Sequence, residues 1–123
     1  MPLSDTDREV LNQLPGSVLM ALTAFLEARS EPVKGILAVL WVIRNRMALH
    51  QQTAHEVCLA ARQFSCWNVN DPNCARGLKL AAMLIDKRSV YTEPDGYILS
   101  VCGYFADMVC DAPDHVPDVS GSA

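Results

Sequence analysis

Ile36-Leu37-Ala38-Val39-Leu40-Trp41-Val42-Ile43 is an unbroken apolar run of eight residues in a segment whose apolar positions recur at helical spacing. Ile36, Val39, Leu40, Ile43 and Met47 make one face, and Leu37, Trp41 and Val42 widen it until little of the helix can meet water. Such a helix is stable only with others packed around it, so this segment is predicted to be the centre of the fold. Glu31 or Ser30 caps it, Pro32 suits its first turn, and it runs to about Leu49. Arg44-Asn45-Arg46 forms its polar end, where cations suit the negative end of the helix dipole.

The remaining elements follow from their start and stop signals. Residues 1–16 read as a short helical or irregular lead that ends at Pro15-Gly16. Ser17 then caps a helix from about Val18 to Arg29, with Val18, Leu19, Leu22, Phe25 and Leu26 as its apolar stripe. Glu27 lies beside that stripe, so its carboxylate is expected to be half covered. Thr53-Ala54-His55-Glu56 matches a capping box and opens a short helix ending near Ala61. Gln63 to Asn68 reads as a loop or short strand, and Asp71-Pro72 starts a helix through Ala81, Leu84 and Ile85. Thr92-Glu93-Pro94-Asp95 starts a last one running to about Cys110. Strand signals are almost absent. The expected class is mainly α, α+β at most, with a single domain over residues 17–123. Its tail, Asp111 to Ala123, has no apolar period and stops without a closing element, so the domain is expected to be truncated at its C-terminus.

Composition excludes some partners. Half of the 123 residues are apolar, enough for one modest core. The net charge of -4, with no basic cluster, argues against nucleic acid. The apolar run is well short of the roughly 20 residues of a membrane span. The polar, acidic start, Ser4-Asp5-Thr6-Asp7, does not resemble a secretory signal. The five cysteines, Cys58, Cys66, Cys74, Cys102 and Cys110, are spaced by 8, 8, 28 and 8. No close CxxC pair, HExxH pattern or Gly-rich phosphate loop is present, so neither a metal nor another cofactor is expected. Buried thiols and one or two disulfides both remain open for the cysteines.

Cleaving a glycosidic bond requires a proton donor on the bridging oxygen and a second group that stabilises or attacks the sugar carbon. Glu27 is the candidate donor, against the plainer role of a surface carboxylate paired with Arg29 or Lys34. Glu31 is either a second carboxylate facing Glu27 across the bend at Pro32 or a brace for that loop. Gln63, Ser65 and Asn68 offer hydrogen bonds beside Phe64 and Trp67, a set that suits a sugar's hydroxyls and ring faces. Those two aromatics serve equally well as core. Tyr97 and Tyr104 are further candidates to line a groove. His50, His55 and His115 are scattered, and a Cys58/His55 pair one turn apart leaves little room for a substrate between them.

Ala24-Phe25-Leu26-Glu27-Ala28-Arg29-Ser30-Glu31-Pro32, then Gly35 to Arg46, then Gln63-Phe64-Ser65-Cys66-Trp67, resemble three motifs of the cell-wall hydrolases named for the spore-cortex-lytic enzymes. The resemblance spans roughly Val18 to Trp67. It implies a lysozyme-like, lytic-transglycosylase-like helical domain that cuts peptidoglycan glycan strands, with Glu27 as catalytic acid. The pattern differs at Leu26 and Ser30, where the family usually has glycine, and a leucine there is expected to narrow the groove beside the acid. Asp118 to Ala123 looks like the start of a further family segment. One acid without a clear second carboxylate implies a transglycosylase route. A catalytically weak peptidoglycan-binding or virion structural module is the alternative. The expected setting is a bacteriophage virion or lysin acting at the bacterial wall, with other virion proteins as partners, or else a bacterial cell envelope.

Overall fold

The computed structural model describes residues 3–29, 31–61 and 63–86. Expectations for Ser30, Tyr97, Tyr104, Cys102, Cys110, His115, the helix from Thr92 and the tail lie outside the described residues. The elements are α1 (Asp5–Asn12), α2 (Gly16–Glu27), α3 (Val33–His50), α4 (Ala54–Cys58), a 3-10 turn (Ser65–Trp67) and α5 (Pro72–Ile85).

Local chemistry sets most of these boundaries. The Ser4 hydroxyl accepts from the Asp7 N–H at 3.1 Å and starts α1. Thr53 and Glu56 close both halves of a capping box on α4, at 3.1 and 3.0 Å. The Asp71 carboxylate accepts from the Asn73 N–H at 2.8 Å, with Pro72 in the first turn of α5. Two expected caps are corrected. Pro15 and Pro32, both in extended conformation with φ of -55° and -64°, already turn the chain into α2 and α3, so neither Ser17 nor Glu31 caps them. Gln51, left-handed at φ 53°, ends α3 by returning its N–H to the Met47 carbonyl. α4 stops at Cys58, earlier than expected.

The centre of the fold is α2, not α3. Eight consecutive residues of α2, Leu19 to Leu26, are buried, and the helix packs against α3, α4, α5 and the 3-10 turn. Ala21, Thr23 and Ala24 are small enough to let neighbours close on it from several sides, so α2 needs no polar face. α3 buries Ile36, Leu40, Ile43 and Arg44, while Leu37, Val39 and Trp41 are only partly covered. Its bulky residues spread round the helix, and only one face meets α2 and α4. α1 bends back from α2 by 118° and packs against α5, adding Leu3, Leu11 and Leu14 to the same core. Among the described residues no single helix is long and apolar enough to cross a membrane.

The expected lysozyme-like, lytic-transglycosylase-like glycosidase architecture, bounded at α+β, is corrected: among the described residues every element is helical and there is no strand. The one segment read as a strand alternates for too few residues and has no partner strand. Instead, the Trp67 and Asn68 N–H groups fold back to the Phe64 and Ser65 carbonyls, at 3.1 and 2.9 Å, and wind it into the 3-10 turn.

Candidate functional site

α2 carries the 3-10 turn at two points one helical turn apart. At the first, the Trp67 indole N–H donates to the Thr23 hydroxyl at 3.0 Å, and that hydroxyl donates to the Leu19 carbonyl at 2.7 Å. At the second, Oε2 of Glu27 accepts from the Cys66 N–H at 2.9 Å and from the Ser65 hydroxyl at 3.3 Å. The Cys66 N–H is available because the opening donors of a helical turn have no carbonyl behind them. α5 holds the turn from the other side. A Cβ added to Gly77 would lie 2.6 Å from Leu26 Cδ1 and 2.8 Å from the Trp67 ring, so only glycine admits this approach.

Glu27 is exposed. It is the last residue of α2, exposed between Leu26 and Ala28, which are both buried. Its carboxylate is nonetheless directed, because two donors on the 3-10 turn hold one oxygen. Asn73 Nδ2 donates to the Leu26 carbonyl at 3.4 Å and serves one of the open acceptors at this helix end.

Beside Glu27 lies a groove of about 720 Å³. Gln63, Ser65 and Asn68 line it with exposed polar side chains. Phe64 and Trp67 line it too, but at 8% and 5% exposure they form its floor and serve as core; the Arg46 guanidinium lies 5.5 Å from the Phe64 ring centroid. Leu26 does not line the groove. Its side chain is buried against Gly77, so it does not narrow the space beside the acid as expected.

Glu31 is absent from the groove. Its N–H donates to the Ala28 carbonyl at 2.9 Å, and its side chain lies over Gly35, where an added Cβ would be 3.0 Å from Glu31 Cβ. It sits at the bend between α2 and α3. Glu27 is therefore the one carboxylate among the described residues that line the groove. Arg8, which also lines it, was missed when residues 1–16 were set aside as a lead; its Nη1 donates to the Leu59 carbonyl at 3.3 Å. Val10, Leu11 and Leu14 at helical spacing were the signal that this segment joins the core.

Cys58, Cys66 and Cys74 are buried thiols. Burial pushes the Cys66 thiol above its ordinary range, and the adjacent Glu27 carboxylate pushes it further, so it stays protonated and is a poor nucleophile. The Cys58/His55 pair forms no catalytic unit. His55 Nε2 sits 2.7 Å from the Leu14 carbonyl and ties α4 to the chain before α2, while Cys58 is fully buried. Among the described residues no group of three or more His, Cys, Asp or Glu could hold a metal ion. No family model, curated protein or solved structure matches this chain.

Proposed function

We propose that this chain cleaves the glycan strands of peptidoglycan between N-acetylmuramic acid and N-acetylglucosamine, with Glu27 as the acid. The observation that carries this is a single carboxylate, held by Cys66 N–H and Ser65 Oγ, at a groove lined by Gln63, Ser65 and Asn68. The resemblance of its three motifs to the spore-cortex-lytic cell-wall hydrolases adds support. Two of those motifs meet at this groove, since Glu27 comes from the first and Gln63, Phe64, Ser65 and Trp67 from the third.

A lone acid favours a transglycosylase route over hydrolysis by paired carboxylates. Glu27 protonates the bridging oxygen as the bond from C1 of the muramoyl residue breaks. The resulting carboxylate takes the proton of the muramoyl 6-hydroxyl as that oxygen bonds to C1. The products are a 1,6-anhydromuramoyl end and a free N-acetylglucosamine 4-hydroxyl, with no water consumed. Mass analysis of digested walls tests this: anhydromuramoyl ends are expected, and reducing muramic ends would remove the transglycosylase route while keeping an enzyme. Glu27→Gln keeps the side chain's shape and removes its proton, so cleavage should fall by about 10²–10⁴-fold. Undiminished cleavage by that variant would show that Glu27 is not the acid.

The exposure of Glu27 favours one second reading, a module that binds walls without cutting them. Sedimentation with purified walls, run beside loss of turbidity, separates the two.

A further inference from the structure

The groove beside Glu27 does not end at Gln63. A second groove, of about 540 Å³, begins there, and Gln63 and Ala60 line both. Arg46 and His50 line the second groove from α3, four residues apart and so on one helix face, with Gln52 and Val57 completing it. No aspartate or glutamate is among the described residues that line it. In a chain of net charge -4, this is a local inversion of sign next to the site of proposed bond cleavage.

Arg46 is held ready. Its Nη1 donates to Gln63 Oε1 at 2.9 Å, and its guanidinium lies over the Phe64 ring, 5.5 Å from the centroid. Those contacts fix the orientation of the guanidinium plane and use one of its five donors. Both contacts are to neutral groups, so among the described residues no carboxylate neutralises Arg46. A preoriented guanidinium with spare donors suits the planar, two-oxygen geometry of a carboxylate. One arginine beside one histidine is too sparse to follow a phosphate backbone.

We infer that this second groove is a subsite for a carboxylate of the acidic stem peptide attached to the glycan strand, with Arg46 as its principal anchor. The inference rests on the glycan-cleaving reading, because that reading lays a peptide-bearing sugar next to Gln63. It identifies the substrate as peptide-substituted glycan. A bare polysaccharide would leave the cationic groove empty.

Titration of the full chain with a synthetic acidic stem tetrapeptide, its carboxyl-amidated form and N-acetylmuramic acid tests this without any bond being cut. The free peptide should bind, amidation should weaken binding at least tenfold, and Arg46→Gln should do the same. Arg46→Lys, which keeps the charge and loses the fork, should fall between. Equal affinity for the free and amidated peptides would overturn the inference, and that comparison needs only the unsubstituted chain, so it holds even if an Arg46 variant fails to fold. Tighter binding of N-acetylmuramic acid than of the peptide would also overturn it, since the anchored group would then be the lactyl carboxylate. Because the readout is binding, a Glu27→Gln chain that still cuts glycan would defeat the proposed acid and leave the peptide subsite standing.

Discussion

Thr23 serves two partners with one hydroxyl, donating to the Leu19 carbonyl and accepting from the Trp67 indole. Thr23→Val keeps the volume and removes the acceptor, which leaves a buried indole N–H with nowhere to donate. The expected cost is about 1–3 kcal/mol, read as a lower midpoint in urea with an unchanged slope. Because Trp67 closes the turn whose opening donors hold Glu27, the proposed wall cleavage should fall more than the small loss of folded protein explains. A stability loss with full activity per folded molecule would mean that the 3-10 turn does not position the acid. At this scale much of the candidate site was legible. Glu27, Gln63, Ser65 and Asn68 stood out as polar groups set in apolar surroundings, and they do meet at one groove. The extent of Glu27's exposure was not legible, because an apolar stripe shows which face of a helix is buried and not how far a side chain beside that face reaches into water. Nor was Arg8, whose place depends on a chain reversal between α1 and α2 that no local signal measures. Trp67 serves the core for a physical reason: its ring is 5% exposed and packs against Gly77, which leaves little of its face for a sugar.

The contact between α5 and the 3-10 turn depends on Gly77 having no side chain. Alanine there would gain helix propensity, about 1 kcal/mol relative to glycine. Against that gain stands a Cβ placed 2.6 Å from Leu26 and under 3 Å from two Trp67 ring atoms, well inside contact distance. Overpacking of this kind costs about 1–3 kcal/mol, so Gly77→Ala should be net destabilising in chemical denaturation, with a shift in the Trp67 fluorescence. A more stable Gly77→Ala chain would mean that α5 can draw back freely and that the approach is not a constraint. Thr53→Ala is a simpler case. It removes one half of the capping box on α4 and should cost about 1 kcal/mol with little effect on cleavage. The caps at Thr53 with Glu56 and at Asp71 with Pro72 were readable because they act within a few residues of chain, whereas those expected at Ser17 and Glu31 fell where a proline already turns the chain. The identity of the central helix was less readable. α3 has the longest apolar run, yet α2 is buried more completely because its small residues admit neighbours. That advantage is visible only once the neighbours are in place.

At the scale of the whole molecule, two buried thiols, Cys66 and Cys74, make stability depend on pH. Cys58 on α4, Cys66 in the 3-10 turn and Cys74 on α5 all lie in the one core that joins these elements. Burial raises the Cys66 thiol first, with Glu27 adding to it, and burial likewise raises Cys74, with Asp7 and Asp71 adding to it. In the unfolded chain both ionise near the ordinary value of 9.0. The sign follows from proton counting. Below that value both states hold the proton and the thiols contribute no pH dependence; above it the unfolded chain releases protons that the native state keeps, so stability falls as pH rises. Cys66 should remove about 1 kcal/mol per pH unit once the pH is well above 9, and Cys74 adds to the loss in the same direction. Urea midpoints between pH 7 and 10.5 should therefore be flat in the lower part of the range and decline in the upper part. Cys66→Ala with Cys74→Ala should flatten the decline even though it opens small cavities and lowers the midpoint at pH 7. The same burial should keep a thiol reagent from reacting quickly with these cysteines until the chain unfolds. Rapid labelling of Cys66 at pH 8 in the absence of denaturant would mean that the 3-10 turn opens readily to solvent, and with it the two donors that hold the Glu27 carboxylate.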